Sequence, residues 1–543
     1  MSRIAALPRR DWEVYGPELG RELTDMLRTP RGRMLLRPVQ AAGLWEAWQC
    51  GGLFGSIGVG FGKTLMSGLL PRVLGSTRPL LLAPANLIAD SWKAFGELKE
   101  HWQIPRGIRI ESYSKLGLPQ HAGLLDAYEP DLIIADEASA LKNFKVAAVS
   151  RRVARYLSEH RGVKFVALSG SLTEESILDY AHMLIWALGS SAPVPTLGEC
   201  EDWAACLDRG AENDPFASTD CLVPHFGPLS GTAEYREAYR SRLAGTPGVI
   251  ITEDSWDGCP LRLRAISVDT PACLEKAFDD LRELWATPDG YCLGDAAFQV
   301  YAVARELALG FYYKHVPRPP ILWAEARRNW ARLVRHVLQR PGSTWDSEMQ
   351  VAEACSVGAL PSREYREWLA IRDTYTPEIV PEWLSDHALQ LAERWGREGP
   401  GIIWCEHIAF AEELARRTGW PYYAGGGFDA KGNHIRDGRG TVIASVEANH
   451  KGRNLQHQWH RNLLPSYPNS ARLLEQLAGR THRCGQLANE VVLDYFLGCK
   501  EHALSVDRVY EKAEYIRQTT GQKHKILGAE HAYGRLGSGP AWR

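Results

Sequence analysis

The stretch Leu53–Thr64, reading Leu-Phe-Gly-Ser-Ile-Gly-Val-Gly-Phe-Gly-Lys-Thr, constrains the fold of this 543-residue chain more than any other. A short apolar run enters a turn in which Gly58, Gly60 and Gly62 alternate with other residues, and a helix is expected to begin near Lys63. Three positions without Cβ atoms let the backbone turn tightly and aim several N–H groups at one point. The start of a helix adds the positive end of its dipole there. Such a cradle suits a triphosphate, with Lys63 on the β- and γ-phosphates and the Thr64 hydroxyl on Mg²⁺. Ile57 stands where the strict G-x-x-x-x-G-K-[ST] pattern has its first glycine, and a plain glycine-rich turn shares part of the pattern.

A second signal is Leu132-Ile-Ile-Ala-Asp-Glu-Ala-Ser139. Adjacent carboxylates at the end of a buried strand are costly unless a metal or a positioned water offsets them. Asp136 is expected to bind Mg²⁺ and Glu137 to polarise the attacking water. Acids at a strand end also serve simply as helix caps. The pairing with the Lys63 loop favours the catalytic reading.

Strand-like runs alternate with helical stretches in two regions. Pro79–Ala83, Gly107–Ser112, Asp131–Asp136 and Val163–Ser169 form the first set; Gly401–Cys405, Gly440–Ser445, Arg461–Leu464 and Glu490–Phe496 form the second. This alternation is that of parallel α/β sheets. Residues 1–190, 191–390 and 391–543 are therefore expected to be an α/β domain, a mainly helical insert and a second α/β domain. The balance of 63 Lys+Arg against 65 Asp+Glu excludes a general polycation that coats nucleic acid. The eleven cysteines are scattered and contain no C-x-x-C pair, which reads as reduced thiols in a cytoplasmic protein. No apolar run approaches a membrane span, and residues 1–10 lack a secretory core, so no membrane partner is expected.

With these elements in place the chain resembles the superfamily-two helicases and translocases, in particular their Swi/Snf-like branch. Leu36-Arg-Pro-Val-Gln40-Ala-Ala-Gly-Leu44 is similar to that branch's L-R-P-x-Q-x-x-G-L segment. Ala83-Pro84 with Trp92 resembles motif Ia, Glu111-Ser112-Tyr113 motif Ib, Lys142-Asn143 the L-K-N after the acidic box, and Leu168–Ser171 the T-G-T or S-A-T segment. Gly452-Arg-Asn-Leu-Gln456 resembles motif V. Gln476-Leu-Ala-Gly-Arg-Thr-His-Arg-Cys-Gly-Gln486 resembles motif VI. Two departures stand out: Asp136-Glu137-Ala138-Ser139 lacks the final histidine of the acidic box, and Tyr467-Pro468-Asn469 stands near the place of D-W-N-P. The compact size and the segment Leu307–Lys314 look like phage-encoded members, for which the host cytoplasm is the setting.

The resemblance implies two RecA-like domains with ATP between them and Mg²⁺ as the ion. Gln40 would read adenine, with Gly452 and Gln476 also on the nucleotide. Arg480 and Arg483, expected on one side of a helix turn, would act as arginine fingers. Pro84, Ser112, Tyr113, Lys142, Asn143 and Asn454 would contact nucleic acid. The activity implied is hydrolysis of ATP coupled to movement along DNA, duplex and without strong sequence preference. RNA is the lesser alternative. Protein partners in replication, recombination or repair suit it, as does a motor subunit of a restriction or repair complex. A nucleotide-dependent DNA clamp with little hydrolysis is the reading from another class. In the insert, Trp323–Arg340 reads as an amphipathic helix with Arg328, Arg332 and Arg335 on one face. Tyr301–Arg340 carries seven Arg and one Lys against two Glu. Both a DNA contact and a solvated surface account for that pattern.

Overall fold

The structure is a computed structural model that describes the chain apart from residues 1, 12–14, 16, 59, 143–146, 171, 212–217, 253–257, 292, 294–296, 341–344, 346, 377 and 532–543, and apart from the side chains of 297 and 298. It divides into two compact units. The first comprises Met1–Ser255, Ala326–Ala370 and Glu514–Lys523; the second comprises Trp256–Glu325, Ile371–Ala513 and His524–Arg543. This partition differs from the expected boundaries at 190 and 390. The physical reason is that residues 191–390 supply a strand to each large sheet and so fold with both units.

In the first unit, β1 (Leu53–Ser56), β2 (Pro79–Ala83), β3 (Arg109–Ser112), β4 (Leu132–Asp136), β5 (Lys164–Ser169) and β6 (Val249–Ile251) form one sheet in the order β3-β2-β4-β5-β1-β6. Every pairing is parallel. The strands read as unbroken apolar runs because both faces are covered, as parallel sheets require. Side chains alternate between two cores: Leu80, Leu82, Ile133, Ala135, Phe165 and Ala167 enter one, and Leu81, Ala83, Leu132, Ile134, Val166 and Leu168 the other. At about 25 cal/mol per Å² of apolar surface, this two-sided burial is the main term holding the sheet.

In the second unit, β7 (Leu261–Ser267) is followed by β8 (Phe311–Val316), β9 (Glu378–Trp383), β10 (Gly401–Cys405), β11 (Tyr422–Tyr423), β12 (Thr441–Ser445), β13 (Arg461–Leu464), β14 (Val491–Leu497) and β15 (Glu530–His531). Seven of them form a parallel sheet in the order β11-β12-β10-β13-β14-β7-β15, while β8 and β9 make a separate antiparallel pair. The chain is thus α/β, with two parallel sheets of six and seven strands. Among the described residues no helix is long and apolar enough to cross a membrane.

Candidate active site

In an open parallel sheet, ligands bind beyond the carboxyl ends of the strands, where strand order reverses. In the first unit, β5 lies between β1 and β4. The ends of these three neighbours deliver the glycine loop, Ser169-Gly170 and Asp136-Glu137 to one edge. With strands about 4.8 Å apart, the ends of β1 and β4 are two spacings, about 10 Å, from each other.

The helix Lys63–Val73 begins directly after the loop, as expected, with Gly62 at its N-cap. Gly62 has φ +81°, and a Cβ there would lie 2.1 Å from Gln40 Nε2. Glycine is required on both counts. Lys63 Nζ donates to the carbonyls of Ile57 (2.8 Å) and Gly58 (3.3 Å), which places its charge over the loop. Thr252, just past β6, accepts from Gly58 N–H at 2.8 Å. That brace was not anticipated, because 188 residues separate Thr64 from Thr252.

Gln40 lies in the helix Pro38–Cys50 and is buried. Its Oε1 accepts from Arg37 N–H at 2.9 Å, and its Nε2 donates to the carbonyls of Phe61 and Gly62 at 3.2 and 3.4 Å. The amide therefore fastens the Leu36–Leu44 segment to the loop. Beside it opens a cavity of about 690 Å³, lined among others by Tyr15, Pro38, Val39, Ala42, Phe61 and Ile251. Its mostly apolar wall suits a flat aromatic base. Tyr15, Phe61 and Ile251 carried no sequence signal for this.

Asp136 ends β4, and its carbonyl accepts from the Tyr113 hydroxyl at 2.7 Å. Glu137 adopts φ +54°, a left-handed conformation uncommon for a side-chain-bearing residue that Glu129 and Trp285 also adopt at helix ends. Its N–H donates to Asp136 Oδ1 at 3.1 Å, and Ser169 Oγ lies 3.5 Å from Glu137 Oε2. The acids are therefore held at a sharp turn with Ser169 on the neighbouring strand.

In the second unit, Ser470 caps the helix Ala471–Thr481 by accepting from Leu473 N–H at 3.1 Å. The helix is fastened to the sheet by Asn462, which accepts from Trp404 Nε1 and donates to Thr481 Oγ1 and the Val492 carbonyl. Arg480 is buried and donates to the carbonyls of Gln476 (2.8 Å) and Arg453 (3.0 Å), and Arg480 O accepts from Leu455 N–H. Gln476, also buried, and Gly452, with φ +68°, thus sit on the two stitched segments. Arg483 Nη1 donates to Asn454 Oδ1.

One expectation is corrected here. Arg480 and Arg483 do not share a helix turn, because the helix ends at Thr481. His482 leaves the helical region at ψ 84°, and its ring is anchored to the Cys259 carbonyl at 2.7 Å.

The expected nucleic-acid contacts are unequally placed. Asn454 is exposed, Lys142 and Pro84 are half-buried, and Asn143 lies outside the described residues, as does Ser171. Tyr113 is corrected. Its ring is in the core and its hydroxyl is spent on Asp136, so it braces the acidic turn. Burial pushes its phenol far up, and the carboxylates of Asp136 and Glu137 add to this. Ser112 is buried and caps the helix Tyr113–Gly117 through Lys115 N–H at 3.0 Å.

The amphipathic helix expected at Trp323–Arg340 runs Ile321–Gln339. Trp330, Val334 and Val337 are buried, whereas Arg328, Arg332 and Arg335 are exposed. Trp330 Nε1 donates to Glu348 at 2.6 Å, and Trp323 Nε1 to the Arg372 carbonyl at 3.1 Å.

Among the described residues no cluster of three or more His, Cys, Asp or Glu is arranged to hold a metal. Mg²⁺ does not need one. It keeps several waters and takes one or two protein oxygens plus substrate phosphates. Thr64, in the first turn after the loop, and Asp136, at the end of β4, are hard oxygen donors of that kind. No protein-family model matches the chain, and no curated protein is significantly similar to it.

Proposed function

We propose that this chain is an ATPase of the RecA-like, superfamily-two type that couples hydrolysis of ATP to movement along duplex DNA. The observation that carries the reading is the strand order. With β5 between β1 and β4, the Lys63 loop, Ser169 and the Asp136-Glu137 turn meet at one carboxyl edge. Nothing in the folding of a sheet demands an ammonium, a hydroxyl and two carboxylates there.

In this reading the loop N–H groups and Lys63 hold the β- and γ-phosphates, and the cavity beside Phe61 takes the base. Thr64 and Asp136 would hold Mg²⁺, which when bound offsets phosphate charge. Glu137 orients water for attack on the γ-phosphorus and takes up its proton, while the oxygen bridging to the β-phosphate departs with the electron pair of the broken bond. Arg480 and Arg483 are assigned by resemblance to the charge that develops during transfer, which elsewhere is worth about 10³–10⁵ in rate. The exposed Asn454 and the half-buried Pro84 and Lys142 are assigned to the nucleic-acid backbone, contacts that carry little sequence preference.

Phosphate release with and without duplex DNA tests this, using the wild type, Lys63→Ala and Glu137→Gln. The expected result is DNA-stimulated release that both substitutions reduce by at least about a hundredfold, the scale on which general-base loss acts. Wild-type release no faster than that of the variants would leave a nucleotide-dependent clamp as the better description.

A further inference from the structure

We infer that Gln522 is a positioning residue for hydrolysis, tying the phosphate loop to the end of β5; this rests on the ATPase reading above. Gln522 follows the helix Lys500–Thr520, which is closed by Gly521 at φ +84°. It is 3% exposed. Its Oε1 accepts from Ser56 Oγ at 3.0 Å, and its Nε2 donates to the carbonyl of Gly170. All three residues belong to the first unit.

The two partners explain why this amide matters. Ser56 is the last residue of β1, immediately before the loop that ends in Lys63. Gly170 immediately follows Ser169, whose hydroxyl lies 3.5 Å from Glu137. Among the described residues, the backbone bond from Ile57 N–H to Ser169 O at 2.8 Å also links β1 to β5 beyond their paired residues. Gln522 adds a second link at the same level, from a side chain 466 residues away in sequence from Ser56. A glutamine satisfies this geometry because one planar group offers an acceptor to a hydroxyl and a donor to a carbonyl. Its removal leaves a buried hydroxyl and a buried carbonyl to find new partners. The spacing between the phosphate loop and the Ser169–Glu137 pair is then held by the strand pairing and the Ile57–Ser169 bond alone, and can loosen. Such looseness is paid in the chemical step, where a displacement of about 1 Å costs up to about a hundredfold.

The experiment compares wild type, Gln522→Ala and Gln522→Glu in four readouts: kcat, KM for ATP, affinity for ADP with tetrafluoroaluminate, and thermal midpoint. Glutamate keeps the acceptor for Ser56 and loses the donor for Gly170, so it breaks one link with almost no change of shape. We expect both variants to lose between about ten- and a hundredfold in kcat and in affinity for the transition-state analogue. KM should stay close to wild type, and the thermal midpoint should fall by no more than a few degrees, the cost of the unpaired buried groups. Unchanged kcat in both variants overturns the inference while leaving the ATPase reading intact. A loss of kcat matched by equal losses in ATP affinity and thermal midpoint also overturns it, showing a merely structural amide. Absence of any wild-type hydrolysis sensitive to Lys63→Ala removes the ATPase reading, and the inference falls with it.

Discussion

Glu137 and Glu306 show two ways in which this chain uses a carboxylate. Glu137 is held at a strained backbone angle beside Ser169, a conformation that costs of order 1–3 kcal/mol. Glu306 lies half-buried on the helix Ala297–Leu307 and accepts from Tyr313 N–H at 3.1 Å. Burial pushes its carboxyl up to about 7; the Tyr313 bond and Arg305 oppose this and Glu406 reinforces it. A raised carboxyl favours the folded state while it is protonated. Below the unfolded value of 4.5 the acid is neutral in both states and the contribution is fully present. As pH rises towards 7 the unfolded chain ionises first and the contribution is lost. Glu306→Gln keeps the acceptor and removes the titration. It should therefore stabilise the second unit at pH 8 by up to about 3 kcal/mol, with the gain vanishing towards pH 4.5. Denaturant melts across that range check the slope, and a gain independent of pH would contradict the assignment. At Tyr113 the prediction is smaller. Tyr113→Phe strips the Asp136 carbonyl of its donor and should cost about 1 kcal/mol in urea unfolding, with a drop in phosphate release as the acidic turn loosens.

Between elements, the sheets show what a sequence makes legible. The runs Pro79–Ala83, Asp131–Asp136 and Val163–Ser169 are apolar on both faces, and such runs have few alternatives to a doubly covered parallel sheet. The structure places a strand in each. Strand β7 was hidden for the opposite reason. Leu261-Arg-Leu-Arg alternates, so its register depends on β14, more than 220 residues away, as Val491↔Leu261 records. The two-residue strands β11 and β15 carry too few side chains to announce a period. The site divides in the same way. Lys63, Asp136 and Glu137 announce themselves by local pattern, whereas Thr252 and Gln522 reach the loop from distant strand and helix ends and have no local signature. Arg483 was misplaced because helix termination at His482 depends on a tertiary bond to Cys259. Asn462 tests an element junction. Asn462→Ala leaves the buried Trp404 N–H without its 3.1 Å acceptor and unfastens Thr481. We expect a loss of about 2–3 kcal/mol in chemical unfolding, whereas an exposed surface asparagine would cost almost nothing.

For the molecule as a whole, charge is nearly balanced at −2, so any grip on nucleic acid must come from local concentrations of Arg and Lys. The helix Ile321–Gln339 offers one: Trp330, Val334 and Val337 face inward, leaving Arg328, Arg332 and Arg335 in solvent. Alanine at those three positions keeps helix propensity and leaves the buried face untouched, so the triple variant isolates charge from packing. Each arginine seated on a duplex phosphate releases counterions and contributes about 0.9 to the slope of log affinity against log salt. If all three engage, the triple variant should bind duplex DNA with a slope shallower by about 3, and the loss should be nearly the same for unrelated sequences, because phosphates carry no base information. Fluorescence anisotropy over a series of salt concentrations measures this directly. A triple variant that weakens binding without changing the slope has altered something other than phosphate contacts. One that matches wild type throughout shows a solvated face that contributes nothing to the proposed DNA binding.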